Sequence, residues 1–579
     1  ERTAVRAFVR RGGGLLTANL GWGWLQLNPG RTLAADHPGN QLLAEAGILW
    51  ADGYLGGNAR DGYDATTPLT DMMHADRALD HLARQLEADE PLDADVARAA
   101  GMLILKTART LPADDRTLRP ELERLARARG DEAVPTDAAP LDHTRPLERI
   151  ALALQLDRYP ELDPRRVRRH PAATVFPGAV PDDAPRVSRT VRINAAVPRW
   201  HSTGLYAAPG EVVTLRVPSD VADRGWHVRI GAHTDTLWHK PSWDRVPDIA
   251  DRRPLNATEV RVASPFGGLL YIDVPRGRPA GEHEIEIRNA VPAPHFHRGR
   301  TDLRAWQNTI RHHPAPWAEI GSDKLIITVP AHAVRQLDRP DELMAAWDRV
   351  MDACADLATI SRTRESPERI VTDQQISAGY MHAGYPIMTH LDVVERAVSS
   401  EAVLDGRRMW GFYHELGHNH QHRDWTFNGT VEVTCNLFTL YALEQVCGLP
   451  PAVGHPNMRP DRLQRAVANH LERGSPFAEW KQQPFLALAM YVQLQQAFGW
   501  DAFTTVFAEY RDLPDAERPR NDAAKRDQWL VRMSRTVGRN LGPFFEAWGV
   551  PTSEQARDEV ANLPVWMPEG LNPPPPTTE

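Results

Sequence analysis

The 579-residue chain has few cysteines and no long apolar run. Its three cysteines, Cys354, Cys435 and Cys447, are too few for a disulfide framework, and their odd number leaves at least one thiol free. No run of about 18 apolar residues occurs, which argues against a membrane-spanning helix in this sequence. The net charge of −9 and the dispersed arginines argue against nucleic acid as a partner. A hydrophobic fraction of 42% is ample for several buried cores.

The start of the sequence looks internal to a domain. Glu1 is followed at once by the apolar pattern of residues 5–9. We therefore expect a processed or trimmed piece, in which a missing signal peptide says nothing about the compartment.

The most informative motif is His414-Glu415-Leu416-Gly417-His418. On a helix, positions i and i+4 share a face, so both imidazoles can bind one ion while Glu415 lies beside an open coordination position. Such a motif can also arise by chance, with histidines that only cap or pack a helix. The apolar residues just before it indicate a buried helix, which favours a catalytic Zn²⁺ site and metal-assisted hydrolysis.

The third protein ligand decides the class of zinc site. The metzincin pattern requires glycine and histidine where this chain has Gln421 and Asp424. Glu432 is the next strong candidate, because it lies in an apolar segment that predicts a second helix packed on the first. Two histidines and one glutamate form a catalytic set that leaves a position for water. Asn436 shares the helical face of Glu432 and is expected to accept the free ring N–H of a ligand histidine.

The chemistry assigns Glu415 as the catalytic residue. Zinc lowers the pKa of its water, and Glu415 takes the water proton and later delivers it to the leaving amine. His420 and His422 are expected in a loop or on the substrate side and not as ligands. Residues 379–387 predict an edge strand that aligns a peptide substrate, or a plain core strand. Residues that could stabilise the oxyanion or contact substrate stay open among five: Tyr385, His382, Tyr491, Trp425 and Arg423.

Three segments resemble the enhancin-type zinc metallopeptidases, the M-sixty family: residues 410–421, 432–436 and 379–386. This family includes bacterial mucin-degrading enzymes and the vertebrate transient-receptor-potential channel-associated factors. The resemblance implies a gluzincin endopeptidase whose substrate is a glycoprotein, in bacterial members often an O-glycosylated, mucin-like polypeptide. A secreted or cell-surface location in a bacterium is then expected over the cytoplasm.

The predicted fold class is multidomain α+β, and its first part is an α/β module over residues 1–170. A buried strand is predicted at 15–19, and helical patterns lie near 73–88, 93–110 and 117–129. The module resembles the amidotransferase-like module of the channel-associated factors, in an incomplete form. A working amidotransferase needs a cysteine nucleophile, and no cysteine precedes Cys354, so the module is expected to be catalytically silent.

The remaining organisation follows from proline content and periodicity. Prolines over 171–188 predict a linker, and alternating residues over 189–292 predict a β-sandwich. Residues 296–565 predict a mostly helical metallopeptidase domain, for which the resemblance implies a thermolysin-like gluzincin fold. Residues 566–579 form a proline-rich tail.

Two other functions stay open. A non-catalytic binding or regulatory protein could retain the same scaffold. A glycan-binding protein could use aromatic residues of the sandwich, for which Trp226, Trp238 and Trp243 are candidates, although core packing is an equally simple role for them.

Overall fold

The computed structural model describes residues 2–28, 31–53, 74–88, 92–112, 114–129, 133–277, 281–569 and 571. Its first region is helical, with α1 Arg2–Arg10, α2 Gly21–Leu27, α3 Pro38–Leu43, α4 Ala75–Ala88, α5 Ala94–Ala108, α6 Arg119–Arg129 and α7 Pro146–Arg158. Helices α4, α5 and α6 coincide with the three predicted helical patterns. Apolar side chains of α4 to α7 share one small core.

The strand predicted at residues 15–19 is wrong. These residues are irregular, and the Leu16 side chain is 98% exposed. A short apolar run does not by itself distinguish a strand from other structure, and a strand needs a neighbour for its backbone hydrogen bonds. The described residues before 171 contain no strand beyond one bridge between Leu141 and Trp243, so they do not support the α/β prediction for this region.

The segment predicted as a linker is packed against the rest of the molecule. Phe176 and Val180 are buried, and the indole N–H of Trp317 donates a hydrogen bond to the carbonyl oxygen of Pro177 at 2.7 Å. Apolar residues between the prolines explain this, because each can bury its side chain while the prolines restrict the backbone. The segment is therefore a packed connection and not a free spacer.

The second region consists of antiparallel strands, as the alternating pattern predicts. They are β1 Val187–Asn194, β2 Arg199–Ala207, β3 Val213–Arg216, β4 His227–Ile230, β5 Asp251–Pro254, β6 Glu259–Val262, β7 Gly268–Val274 and β8 Glu282–Pro292. Their order is β5-β4-β7-β2-β8-β3-β6, with β1 paired to β8. Side chains of the β4-β7-β2 half and of the β8-β3-β6 half enclose a common core.

The third region combines a mixed sheet with a large helical part. The sheet has the order β13-β14-β12-β11-β10-β9, and its strands are β9 His295–His297, β10 Trp317–Gly321, β11 Leu325–Pro330, β12 Glu368–Asp373, β13 Met381–His382 and β14 Ile387–His390. Strand β13 is at the edge of this sheet, in agreement with the predicted edge strand.

Helices make up most of the third region, as predicted for residues 296–565. They are α8 Leu303–Asn308, α9 Pro340–Leu357, α10 Val394–Ala397, α11 Ser400–Asp405, α12 Trp410–His420, α13 Val431–Cys447, α14 Pro460–Glu472, α15 Phe477–Trp480, α16 Pro484–Arg511, α17 Asp522–Val537, α18 Gly542–Ala547 and α19 Glu554–Asp558. Gly499, with a φ of 74°, interrupts α16 and divides it into two helical parts.

Two further points concern the whole chain. Among the described residues, no helix is both long enough and apolar enough to cross a membrane. Most of the predicted proline-rich tail, residues 572–579 with residue 570, lies outside the described residues.

Candidate functional site

The site is built where α12 and α13 touch. A β-carbon at Gly417 would lie 2.2 Å from the carbonyl oxygen of Cys435, so only glycine allows the two helices to approach this closely. Helix α12 contributes His414 and His418 from one face. Glu432, in the first turn of α13, then reaches both imidazoles.

Three ligand atoms converge at this contact. The Nε2 atoms of His414 and His418 are 3.0 Å apart, and Glu432 Oε2 lies 3.0 Å from the first and 3.3 Å from the second. Tetrahedral zinc with bonds of about 2.0–2.2 Å has neighbouring ligand atoms roughly 3.3–3.6 Å apart, so the three observed distances lie within a few tenths of an ångström of zinc geometry. The spacing and the donor types therefore fit a zinc ion with three protein ligands.

Cys435 lies beside the same cluster. Its sulfur is 3.6 Å from His414 Nδ1 and 4.0 Å from His414 Nε2. Because the sulfur is nearer to Nδ1 than to Nε2, it contacts the side of the ring and does not lie along the lone pair of Nε2. The side chain is buried and fills core volume between the two helices.

Asn436 sets the orientation of the His414 ring. Its amide nitrogen donates to the carbonyl oxygen of Glu432 at 2.8 Å, so its amide oxygen faces His414. That oxygen lies 2.8 Å from His414 Nδ1. A proton on Nδ1 satisfies the contact and leaves the lone pair of Nε2 for a metal, which is the role expected for Asn436.

Gln421 makes the corresponding contact with the second histidine. Its amide nitrogen lies 2.9 Å from His418 Nδ1, and its amide oxygen accepts a hydrogen bond from the Thr434 hydroxyl at 2.6 Å. The oxygen and nitrogen of a glutamine amide are interchangeable in shape, so the amide oxygen can face His418 while Thr434 accepts from the nitrogen. In that orientation both histidines present Nε2 to the metal.

The electrostatics of the cluster favour a cation. Hydrogen bonds from His414 and His418 hold the pKa of Glu432 well below its ordinary value. Burial disfavours the charged form of His414, but contacts with Cys435 and Glu432 outweigh it and raise its pKa to about 11. The same balance raises the pKa of His418 to about 9. A carboxylate that attracts positive charge this strongly is suited to hold Zn²⁺ in place of protons.

Glu415 is buried beside the cluster. Glu415 is only 6% exposed, and burial raises the pKa of its carboxyl group above the ordinary glutamate value. The charges of His414, His418 and His382 oppose that rise. A buried carboxylate next to the metal position can accept a proton from water and return it.

Two of the remaining candidates contact the sandwich. His382, on the edge strand β13, has its Nε2 2.8 Å from the carboxylate of Asp235. The hydroxyl of Tyr385 accepts a hydrogen bond from Arg369 Nε at 3.1 Å, and its ring packs on Trp200. Of these two, His382 is the one whose charge acts on Glu415.

The other candidates do not reach the cluster. Tyr491 is buried in the helical core against Trp529, and Trp425 is fully buried with its ring stacked on Phe507 at 4.1 Å between centroids. Both predictions are wrong because these rings complete the core between α13, α16 and α17, which periodicity could not distinguish from a cleft wall. Arg423 is exposed, pairs with its neighbour Asp424 at 3.5 Å, and has no cluster contact among the described residues.

His420 is also not where the sequence suggested. Helix α12 continues to His420, whose ring is buried and bonded to the carbonyl oxygen of Leu416 and to Arg364. Burial lowers the pKa of His420 to about 3, so the ring is neutral. It is part of the interior and not a loop or substrate-side residue.

Comparison with known proteins identifies the region that carries the cluster. Residues 289–549 match the family described as peptidase M60, enhancin and enhancin-like. This region is an M60 peptidase domain. Residues 182–288 match the N-terminal domain of M60-like peptidases, and residues 1–65 match a family described as the TRPM8 N-terminal domain.

The chain also resembles vertebrate proteins over almost its whole length. It is 36% identical to TRPM8 channel-associated factor 2 of Bos taurus over 582 residues, and 34% identical to the Homo sapiens protein of that name over 577 residues. Each alignment covers 98% of this chain but 62% of the relative. The chain thus spans less than two thirds of the length of these relatives.

Solved structures share the fold. IMPa of Pseudomonas aeruginosa, in complex with an O-glycopeptide, aligns with a TM-score of 0.53 at 19% identity over 89% of this chain and 64% of that one. A conserved protein of unknown function from Bacillus anthracis aligns with a TM-score of 0.54 at 22% identity, over 66% of this chain and 80% of that one. The M60 metallopeptidase fold, a mixed α+β architecture, is therefore shared at low sequence identity.

The contacts of three residues around the M60 site were not predicted from the sequence. Gln421 served only to exclude the metzincins, although its distance of three residues from His418 on a helix indicates contact. Asn419 bonds both backbone groups of Gly384 and so attaches the edge strand to α12. Asp235 is 147 residues from its partner His382, and no local pattern could reveal that pairing.

Proposed function

We propose that this protein is a zinc-dependent endopeptidase that hydrolyses peptide bonds in glycoproteins, with O-glycosylated, mucin-like polypeptides as the preferred class. One observation carries the proposal: His414, His418 and Glu432 present three donor atoms at zinc spacing with the Glu415 carboxylate buried beside them. A pure binding module has no chemical need for a general base next to a metal position. The M60 family membership of this region supports the same activity.

The residues divide the chemistry between them. His414, His418 and Glu432 would hold the zinc ion, which when bound would supply a Lewis acid for the scissile carbonyl and lower the pKa of a water molecule. Glu415 accepts the proton of the attacking water and passes it to the leaving nitrogen. Burial raises the pKa of Glu415, which brings the carboxylate closer to the pH at which it can both take and give a proton. Asn436 keeps the ring of His414 in its metal-binding orientation.

The edge strand supports a peptide substrate. Strand β13 pairs with β14 on one side and ends the described sheet on the other. An extended peptide can add to such an edge through backbone hydrogen bonds. Asn419 holds the following turn at Gly384 against α12, so a peptide on this edge passes next to Glu415. The preference for glycosylated substrates rests on IMPa, whose structure contains an O-glycopeptide.

The test is cleavage of three substrates by zinc-loaded protein: an O-glycosylated mucin, its deglycosylated form and an unglycosylated protein, with products read by mass spectrometry. We expect cleavage of the glycosylated form only, lost after chelation and restored by zinc. Glu415→Ala should abolish cleavage while retaining zinc, and Glu401→Ala, an exposed glutamate on α11, should cleave like the wild type. Absence of cleavage by zinc-loaded wild type on all three substrates would refute the proposal.

A second function is favoured by the relatives. The vertebrate proteins whose alignments cover 98% of this chain are TRPM8 channel-associated factors. This similarity points to a binding or regulatory role on the same scaffold. Such a role predicts no cleavage and no effect of Glu415→Ala on partner binding. These vertebrate relatives give no support to the expected bacterial, secreted origin.

Nothing specific favours glycan binding by the sandwich. Trp226 and Trp243 are buried, at 2% and 0% exposure, and so cannot offer a ring face to a sugar. The ring of Trp238 is covered by the guanidinium of Arg109 at 4.2 Å.

A further inference from the structure

A loop of the sandwich reaches the catalytic sheet. This loop, residues 231–250 between β4 and β5, is hydrogen-bonded to the end of β12 and to the segment that follows it. Arg245 makes two hydrogen bonds of 2.7 Å with the carboxylate of Asp373, and both side chains are fully buried. Gln375 accepts from the backbone N–H of Asp244 and donates to the carbonyl oxygen of Ser242, each at 2.9 Å. The loop is therefore held rigidly on the M60 domain.

Asp235 is a residue of this loop that contacts the edge strand β13. One oxygen of its carboxylate accepts hydrogen bonds from the backbone N–H of Ser377 at 2.6 Å and from His382 Nε2 at 2.8 Å. Its own carbonyl oxygen accepts from Arg245 Nη2 at 3.1 Å. The side chain is 11% exposed. Both the backbone and the carboxylate of Asp235 are thus fixed before any substrate binds.

His382 lies on β13, against the helix that carries the zinc motif. A β-carbon at Gly411 of α12 would be 2.9 Å from the sulfur of Met381, so strand and helix are in direct contact here. After His382, the backbone of Gly384 is bonded to Asn419 of the same helix. The histidine is consequently held between two points of attachment to α12.

The surroundings of His382 favour its protonated form, whose charge acts on Glu415. The hydrogen bond to Asp235 raises the pKa of His382, with smaller contributions from the carbonyl oxygen of Ala383 and the charge of Glu415. Burial would raise the pKa of Asp235, but the bonds from His382 and Ser377 lower it, so the carboxylate stays charged. Both ring nitrogens of His382 face acceptors, which suits the doubly protonated imidazolium.

We infer that Asp235, a residue of the sandwich, is a positioning residue for peptide hydrolysis. It holds the imidazolium of His382 at the edge of the cleft, where this cation stabilises the negative charge that develops on the substrate carbonyl oxygen in the transition state. The sandwich therefore completes the active site of the M60 domain. This inference rests on the proposed endopeptidase activity.

The test compares Asp235→Asn with Asp273→Asn, using the substrate that the wild type cleaves. Asp273 is a matched control because it belongs to the same sandwich, pairs with Arg252 at 2.7 Å and has a side chain 14% exposed. We expect Asp235→Asn to lower kcat about tenfold to a hundredfold, since the cation is weakened but not removed. KM should change by less than about twofold, because the charge acts mainly in the transition state. Zinc content and the midpoint of thermal unfolding should match those of Asp273→Asn.

A double variant separates positioning from structural damage. His382→Gln removes the cation and leaves the Ser377 bond to Asp235 in place. If Asp235 acts through His382, the double variant Asp235→Asn/His382→Gln should be no slower than His382→Gln alone. Additive losses, or a kcat of Asp235→Asn equal to the wild type, would overturn the inference. Should Asp235→Asn fold poorly, an unchanged kcat in His382→Gln would overturn it equally. Absence of any cleavage by the zinc-loaded wild type would instead refute the proposed function.

Discussion

Gly417 of α12 faces the carbonyl oxygen of Cys435 on α13 so closely that a β-carbon on Gly417 would lie 2.2 Å from that oxygen. This contact sets the distance between the helix that carries both histidines and the helix that carries Glu432. The glycine at this position of the motif is therefore required by the packing of the second helix.

Gly417→Ala should weaken zinc binding and destabilise the fold together. The added methyl group must push α13 away, which moves Glu432 out of the cluster and costs roughly 1–3 kcal/mol in the free energy of unfolding. Zinc titration and chemical denaturation measure the two effects. Gly14→Ala, at a position with open space around it, should change neither. Wild-type zinc affinity in Gly417→Ala would show that the contact does not set the cluster geometry.

Asn436→Ala and Gln421→Ala should each lower the affinity for zinc by about tenfold to a hundredfold. Asn436→Ala removes the amide oxygen that faces His414 Nδ1, and Gln421→Ala removes the amide that contacts His418 Nδ1, so one ligand ring in each variant loses the partner that orients it. Competition with a chelating dye measures the affinity. Asn457→Ala, at an exposed amide bonded to Arg462, is the control and should bind zinc like the wild type. If Gln421→Ala has no effect, the contact to His418 is not a metal-supporting one.

His233 should make stability fall in mild acid. Its ring is buried between Trp317 and Phe176, and burial lowers its pKa to about 4. The unfolded chain takes up the proton more readily, so folding loses stability as the pH falls from about 6.5 to about 4, by up to ~3 kcal/mol from this group. Above that window the contribution is constant.

The measurement is the denaturation midpoint as a function of pH. His233→Gln cannot take up this proton, so its stability should depend less on pH between 6.5 and 4 than that of the wild type. His332→Gln, at an exposed histidine, should retain the wild-type profile. Parallel profiles for wild type and His233→Gln would contradict the prediction.

Arg369 should be among the most sensitive positions for stability. Its guanidinium is fully buried and bonded to Glu319 at 2.7 Å, to the carbonyl oxygen of Trp200 at 2.8 Å and to the Ser202 hydroxyl at 2.9 Å. Arg369→Leu leaves the buried carboxylate of Glu319 without its cation, which costs about 3–5 kcal/mol.

Chemical denaturation of Arg369→Leu checks this cost. Arg192→Leu breaks an exposed ion pair with Glu284 at 3.0 Å and should leave the midpoint unchanged within error. Equal shifts of the denaturation midpoint in the two variants would show that the buried Arg369 network stabilises the fold no more than an exposed ion pair.

The sequence by itself determined the local features of this protein. Helical spacing put His414 and His418 on one face and Glu432 and Asn436 on the next helix. It also placed the helices near 73–88, 93–110 and 117–129 within a few residues of their observed bounds. These features depend on periods of two and 3.6 residues, which are written in neighbouring positions. The family resemblance added the expected gluzincin class and the expected glycoprotein substrate.

Only the tertiary structure decided which side chains meet across long distances. Trp425 and Tyr491 lie in the core. The short apolar run at 15–19 pairs with no strand among the described residues. Asp235 of the sandwich contacts His382 of the edge strand. Burial and hydrogen bonding between distant segments settle such questions, because an aromatic or an acid has the same local pattern whether it faces a cleft, a core or another domain.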